Sequence, residues 1–321
     1  MTRIVLEPAA RELAGRTTEP PHGYEAARRG YLELQSMPVD KPPVDAEWIT
    51  VGDSVRVRLV RPAGATGTLP VVLYLHGGGW VLGDATTHDR LVRELAVGAT
   101  AAVAFVEYDR APEAKYPVAL EQAYAVALWI VNEGAARGLD ASLLAVAGDS
   151  SGGTMAAALT MMAKDRGDVT FVHQSLYYPA TSAARDTLSY SLFADGPFLT
   201  AKMMAWFWDA YTVDPVERAH RYAAPLNATL GELTGLPPAF VVVDEADVLR
   251  DEGELYAAQL REAGVAVTTV RYDGIHHDFM TLHALARTHA ARAAVAQATA
   301  MLRLAFSVPR RGPAGSGGDA C

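Results

Sequence analysis

Hydrophobic positions along this chain fall into stretches of strand length separated by longer amphipathic or alanine-rich ones. The strand-like stretches lie at about residues 71–75, 102–107, 143–147, 171–177, 239–243 and 267–272. Short apolar runs bounded by turn signals predict buried strands, and the alternation over 268–272 predicts a strand with one wet face. The intervening stretches, about 86–98, 117–137, 151–165 and 251–263, with a last one near 284–305, predict helices. Strands that alternate with helices imply a parallel sheet covered on both faces, an α/β protein. Ahead of this, 47–51 and 54–61 bracket Gly52-Asp53 and predict an antiparallel hairpin at the sheet edge. Residues 1–34 read as mostly helical with a break at Pro20-Pro21, and 38–43 as a linker. Residues 181–235 interrupt the alternation and are too long for a simple connection. They include 201–211, a helical stretch rich in aromatics. No internal repeat is apparent.

Gly148-Asp149-Ser150-Ser151-Gly152-Gly153 sits between an apolar run (143–147) and an alanine-rich run (154–163). This is a strand, a tight turn and a helix, with a serine at the tip. Glycines on either side let strand and helix approach closely. The helix points its free N–H groups and the positive end of its dipole at the same spot. Such a serine is suited to attack a carbonyl, in the manner of a nucleophile elbow.

His76-Gly77-Gly78-Gly79-Trp80 follows the apolar run 69–75. Three glycines after a buried strand let the backbone curl with its N–H groups converging, which makes an oxyanion hole. His76 precedes the nucleophile and is read as shaping this loop, not as a base. The acid of a serine triad is expected just past the strand at 238–243, where Asp244, Glu245, Asp247 and Asp251 are candidates. Asp251-Glu252 also fits a solvated helix start, where acidic residues complement the dipole. The base is expected among His276 and His277, after the last strand. The remaining histidines are read as surface or structural.

Together these blocks resemble the bacterial hormone-sensitive-lipase-like esterases of the α/β-hydrolase superfamily. Tyr108-Asp109-Arg110-Ala111-Pro112-Glu113, followed by Tyr116-Pro117, is similar to the family's Y-R-L-A-P-E-x-x-F/Y-P block and departs from it at Asp109 and Arg110. Residues 247–253 match its D-x-L-R-D-E-G, and Gly274 to Phe279 its G-x-x-H-G/D-F. The resemblance runs from about residue 70 to 305. It implies an α/β-hydrolase fold, a mostly parallel twisted sheet with a helical cap. The cap would be built from residues 1–45 and 181–235, and the core from 46–180 and 236–308. It implies Ser150 as nucleophile, Asp247 as acid and His277 as base, with oxyanion donors at Gly77, Gly78 and Ser151. The expected reaction is hydrolysis of a small carboxylic ester of short to medium acyl chain through an acyl-enzyme, with no metal or organic cofactor. A lactone hydrolase or metabolite deacetylase on the same fold would carry the same triad. The plant gibberellin receptor resembles this family without the catalytic histidine, so a histidine at 277 favours an enzyme over a receptor.

Composition narrows the setting. The chain has 321 residues, 50% hydrophobic and 20% charged, enough for one large core. A net charge of −9 argues against a nucleic-acid surface. Cys321 is the one cysteine, which excludes an intrachain disulfide and suits a reducing compartment. Glu7, Arg11 and Glu12 interrupt what would be the apolar core of a signal peptide. No apolar run reaches the roughly 18 residues a span needs. A cytoplasmic enzyme is the expectation, with a homodimer left open. Residues 309–321, rich in Gly and Pro, read as a disordered tail.

Overall fold

The computed structural model describes residues 4–16 and 23–307. The expected break at Pro20-Pro21, His22 and the tail at 309–321 lie outside them. Eight strands form one sheet: β1 (Val44–Val51), β2 (Val55–Pro62), β3 (Leu69–Leu75), β4 (Ala102–Glu107), β5 (Leu139–Asp149), β6 (His173–Tyr177), β7 (Ala239–Ala246) and β8 (Val267–His276). Their order is β1-β2-β4-β3-β5-β6-β7-β8. β1 and β2 form the hairpin, with Val51 opposite Val55 and Gly52 at a positive φ of 58° in the turn. β2 runs antiparallel to β4, and every pairing from β4 to β8 is parallel.

The unbroken apolar runs are the buried middle of this sheet, because helices cover both of its faces. Along β3, Val71, Leu73 and Leu75 face one core while Val72 and Tyr74 face the other. The first core is closed by α2 (Tyr24–Leu34), α4 (Val118–Glu133), α5 (Ser151–Arg166), α7 (Ala201–Tyr211) and α10 (Arg250–Glu262); the second by α1 (Pro8–Leu13), α3 (Asp89–Ala99) and α11 (His289–Ser307). The remaining helices are the short α6 (Leu188–Leu192), α8 (Pro215–Ala219) and α9 (Leu230–Leu233). Among the described residues, no helix is long and apolar enough to cross a membrane.

β5 is longer than its apolar run. It pairs with β3 at Leu69↔Leu139 and Pro70↔Asp140, then jumps to Val71↔Leu144, so residues 141–143 bulge out. The helix expected over 117–137 ends at Glu133 and tightens into a 3₁₀ turn over Gly134–Arg137. Residues 181–235 hold four short α-helices and a 3₁₀ turn over Pro225–Asn227; α7 packs hardest, burying Met204, Phe207, Trp208, Ala210 and Tyr211. Thr200 caps its start by accepting the Met203 N–H at 3.1 Å. Its last carbonyls are met by the Lys115 ammonium, which donates to Ala210 O, and the Tyr116 N–H, which donates to Tyr211 O.

The sheet reverses direction of growth at β3, since β4 lies on one side of it and β5 on the other. Loops leaving the carboxyl ends of β3 and β5 therefore diverge and open a crevice between them, the usual ligand position in such sheets. The loop after β3 starts at His76 and the turn after β5 holds Ser150. Strand and helix around that turn touch through Gly148 and Gly152. A methyl group on Gly152 would overlap the Leu75 and His76 carbonyl oxygens, which are fixed backbone. Gly152→Ala is expected to destabilise the fold by about 1–3 kcal/mol, seen as a lower denaturant midpoint. Gly231→Ala, where a methyl meets open space, should leave the midpoint unchanged or slightly raised.

Candidate active site

Ser150 lies between the end of β5 and the start of α5 with φ 53° and ψ −121°, a conformation that non-glycine residues avoid. The turn is held on both sides. The Ser150 N–H donates to Tyr177 O at 2.8 Å, and its carbonyl accepts the Thr154 N–H at 3.1 Å. The side chain is thereby lifted off the sheet, above the amino end of α5.

β7 ends at Ala246 and β8 at His276, so the next residue of each, Asp247 and His277, emerges at the same level as Ser150. His277 Nε2 lies 2.9 Å from Ser150 Oγ, and His277 Nδ1 lies 2.7 Å from Asp247 Oδ2. The other Asp247 oxygen accepts the Leu249 N–H at 3.0 Å. All three side chains are buried. The imidazole packs edge-on against the Tyr178 ring, 5.0 Å between centroids. Burial alone would lower the His277 pKa. The charges of Asp247 and Asp278 and the hydrogen bond to Asp247 outweigh it and push the pKa up to about 10. Asp278, at a positive φ of 64°, brings Oδ1 to 3.5 Å from His277 Nε2, and its other oxygen accepts the Tyr31 hydroxyl at 3.3 Å.

The other candidates stand elsewhere. His276 turns away, with Nε2 3.2 Å from Ala10 O and its ring stacked on Phe198 at 5.1 Å. Glu245 accepts the Gly274 N–H at 2.8 Å. Asp251 accepts the Ser189 N–H at 2.7 Å. The solvated helix start expected at Asp251-Glu252 is corrected here. Glu252 is fully buried and accepts the Ser182 N–H at 3.2 Å, because residues 182–189 fold over the start of α10 and exclude water from it. Asp244 is fully buried behind Asp247. Atoms of Asp244, Asp247 and His277 lie within 4.8 Å of one another. A cation held there would compete with the bond that already joins Asp247 to His277.

The loop after β3 is fastened from below. Asp149, fully buried, accepts the Tyr74 hydroxyl at 2.6 Å and the Gly77 N–H at 3.1 Å, and meets His88 Nε2 at 3.3 Å. Burial works against both charges of the Asp149–His88 pair. Their attraction and hydrogen bond win, lowering the Asp149 pKa and raising that of His88. The Gly77 N–H is thus already engaged and is not a free oxyanion donor, contrary to the sequence expectation. Gly78 and Gly79, at φ 102° and 61°, have N–H groups with no acceptor among the described residues. Both line the cavity with Ser150 and Ser151. A glycine triplet does not reveal in sequence which of its amides stays free, so Gly79 was not singled out. An acidic residue at the end of a buried strand, Asp149, was the available signal, since such a group must find donors. His76 donates to or accepts nothing at the reacting centre. Its Nδ1 bonds Gly77 O at 2.8 Å, its ring stacks on Tyr108 at 4.1 Å, and burial drops its pKa to about 3.

A cavity of about 460 Å³ stands over Ser150. Its far walls are α2, through Ala26, Ala27 and Gly30, and α7 with the residues before it, through Leu199, Met203 and Phe207. The two helices meet where Tyr24 stacks on Trp206 at 4.8 Å. α7 also touches the glycine loop, with Tyr211 stacked on Trp80 at 4.2 Å and 5°. The Trp80 N–H in turn donates to Ser151 Oγ at 3.0 Å.

Residues 72–281 match the family described as alpha/beta hydrolase fold. The carboxylesterase NlhH of Mycobacterium tuberculosis is 39% identical over 253 residues, 76% of this chain and 78% of that protein. An ethyl acetate hydrolase of Pseudomonas putida is 34% identical over 274 residues, 82% of this chain and 86% of that protein. The crystal structure of a thermostable esterase from Pseudomonas putida superposes with a TM-score of 0.91 at 43% identity, covering 96% of this chain and 100% of that one. The fold, the serine-bearing elbow and these likenesses agree, and the chain belongs to the hormone-sensitive-lipase-like carboxylesterases of the α/β-hydrolase fold family.

Proposed function

We propose that Ser150, His277 and Asp247 are the nucleophile, base and acid of this carboxylesterase. The observation that carries the reading is the chain of two short contacts from Ser150 Oγ through the imidazole to Asp247. His277 Nε2 takes the hydroxyl proton as Oγ attacks the ester carbonyl. Asp247 holds the ring in the required tautomer and stabilises the imidazolium. The N–H groups of Gly78, Gly79 and Ser151 receive the oxyanion. Each such donor is worth about 2.7–4 kcal/mol in the transition state. His277 then gives its proton to the departing alkoxide, leaving an acyl-Ser150. Water that loses a proton to the same nitrogen cleaves the acyl bond and releases the acid.

The reading extends to substrate size. Residues 23–34 and 181–235 act as a cap, since α2 and α7 wall the cavity opposite the sheet. A largely apolar space of about 460 Å³ suits a small ester, and a long acyl chain would have to run out of it along a tunnel. The relative named as an ethyl acetate hydrolase points the same way.

The roles are tested by substitution. Ser150→Ala should abolish labelling by a fluorophosphonate and nearly all turnover of p-nitrophenyl butyrate, with the fold unchanged by circular dichroism. Asp247→Asn should cost about a thousandfold or more in kcat, and little further in the Ser150→Ala background, because the three act as a unit.

The pH profile follows from the raised His277 pKa. The base works only when neutral, so kcat/KM should rise with pH along a limb displaced above the ordinary imidazole value of about 6.5. Asp278→Asn removes one of the anions that raise it and should move that limb toward neutral pH.

Against p-nitrophenyl esters of increasing length, kcat/KM should peak at about C4 to C8. Trp206→Ala opens the join between α2 and α7 and should raise the activity on C10 and C12 esters relative to C4. An unchanged ratio would remove the two helices from the role of acyl limit.

A further inference from the structure

Behind the three reacting side chains stands a fourth titratable group with no assigned task. Asp244 is the third residue from the end of β7 and is fully shielded from water. Neither of its carboxyl oxygens has a hydrogen-bond donor among the described residues. Asp247, by contrast, is supplied by His277 Nδ1 and the Leu249 N–H. The two carboxyls and the imidazole lie within 4.8 Å of one another. Asp244 and Asp247 share one dry site beside a single imidazole, and of two carboxyls so placed one holds its proton far more firmly than the other. The proton belongs on the group that has no donors of its own. An unpartnered carboxylate there would be costly, whereas a carboxylic acid gains an acceptor in Asp247.

We propose that Asp244 is a positioning residue for the reaction, a neutral carboxylic acid whose O–H donates to the Asp247 carboxylate and limits how strongly that carboxylate raises the basicity of His277. This rests on the triad roles given above. Burial, and then the neighbouring Asp247 charge, hold the Asp244 carboxyl far above the usual carboxylate range. The charged and titratable groups that face it are Asp247 on its own segment, His277 and Asp278 after β8, and Tyr178 after β6. None of these supplies a second cation besides the imidazole. The arrangement gives the imidazole one hydrogen-bonded carboxylate, Asp247, moderated by an acid, with Asp278 as a more distant anion.

Asp244→Asn and Asp244→Val separate the possibilities. The amide still donates an N–H to Asp247, so Asp244→Asn should keep the acid limb of kcat/KM in place and kcat within about threefold. Asp244→Val removes the donor, frees Asp247 to hold the imidazolium more strongly, and should move the limb upward by about one pH unit, a loss of about tenfold in kcat/KM below it. Were Asp244 ionised, both substitutions would remove a negative charge and move the limb downward, and the proposal would be overturned. Limbs unmoved in both would overturn it too, by reducing Asp244 to a space-filler. Infrared difference spectra in the Ser150→Ala background decide the matter without turnover, and also if Asp244→Val does not fold. Introducing Asp244→Asn should delete the carbonyl stretch of a neutral carboxylic acid at neutral pH, and loss of an ionised carboxylate band instead would refute the proposal. Failure of the triad reading has a different signature, absence of fluorophosphonate labelling at Ser150 in the wild-type protein, which leaves the infrared result untouched.

Discussion

A carboxylate shut away from water has to find its partners inside the protein, and Asp149 finds its closest three on separate elements. It takes a hydroxyl from Tyr74 in β3, an amide from Gly77 in the loop that follows, and the imidazole of His88 at the start of α3. Its own backbone leads directly into Ser150. A truncated Asp149 would leave the buried partners unsatisfied, at a cost of several kcal/mol. Everything above the sheet is referred to this point. The glycine loop cannot curl differently without freeing the Gly77 amide, and the serine cannot shift without dragging the carboxylate from its donors. Pre-positioned dipoles of this kind stabilise a transition state with little reorganisation.

Acids dominate the other side of Ser150. Asp247, Asp244 and Asp278 all lie near one imidazole, at the carboxyl ends of β7 and β8. Such crowding is tolerated only because the groups are not equivalent. Asp247 has the donors, Asp244 has none, and Asp278 shares Tyr31 from α2. A segment that walls the cavity therefore also touches the electrostatics of His277, so the shape of the cavity and the proton affinity of that imidazole are not separate properties.

Much of this was legible in the chain. The buried strands β3, β4, β5 and β7 are unbroken apolar runs because helices cover both faces, and the glycine-flanked serine marks its own turn. What could not be read depended on register. Asp244, Glu245, Asp247 and Asp251 are alike in sequence, and only the point where β7 stops decides which of them reaches His277. Family resemblance supplied that choice, not spacing. Gly77 and Gly79 are likewise indistinguishable until Asp149 claims one of the two amides. The burial of Glu252 came from residues 182–189 lying across it, a tertiary contact that an acidic helix start does not announce. The extension of β5 to Leu139 was hidden because the bulge at 141–143 breaks its apolar pattern.

The stacked rings of Trp80 and Tyr211 join the glycine loop to the helix that walls the cavity. Tyr211 closes α7, which lines the cavity, and the amide of Trp80 donates to the hydroxyl of Ser151, the residue after Ser150. A helix redesigned to admit a new ester therefore carries a constraint. The residues that face the cavity, such as Met203, can change, but the last turn must keep its flat contact or the glycine loop loses its brace. Diversification of substrate range should accordingly run along one side of α7, leaving the other as a fixed hinge between chemistry and selection.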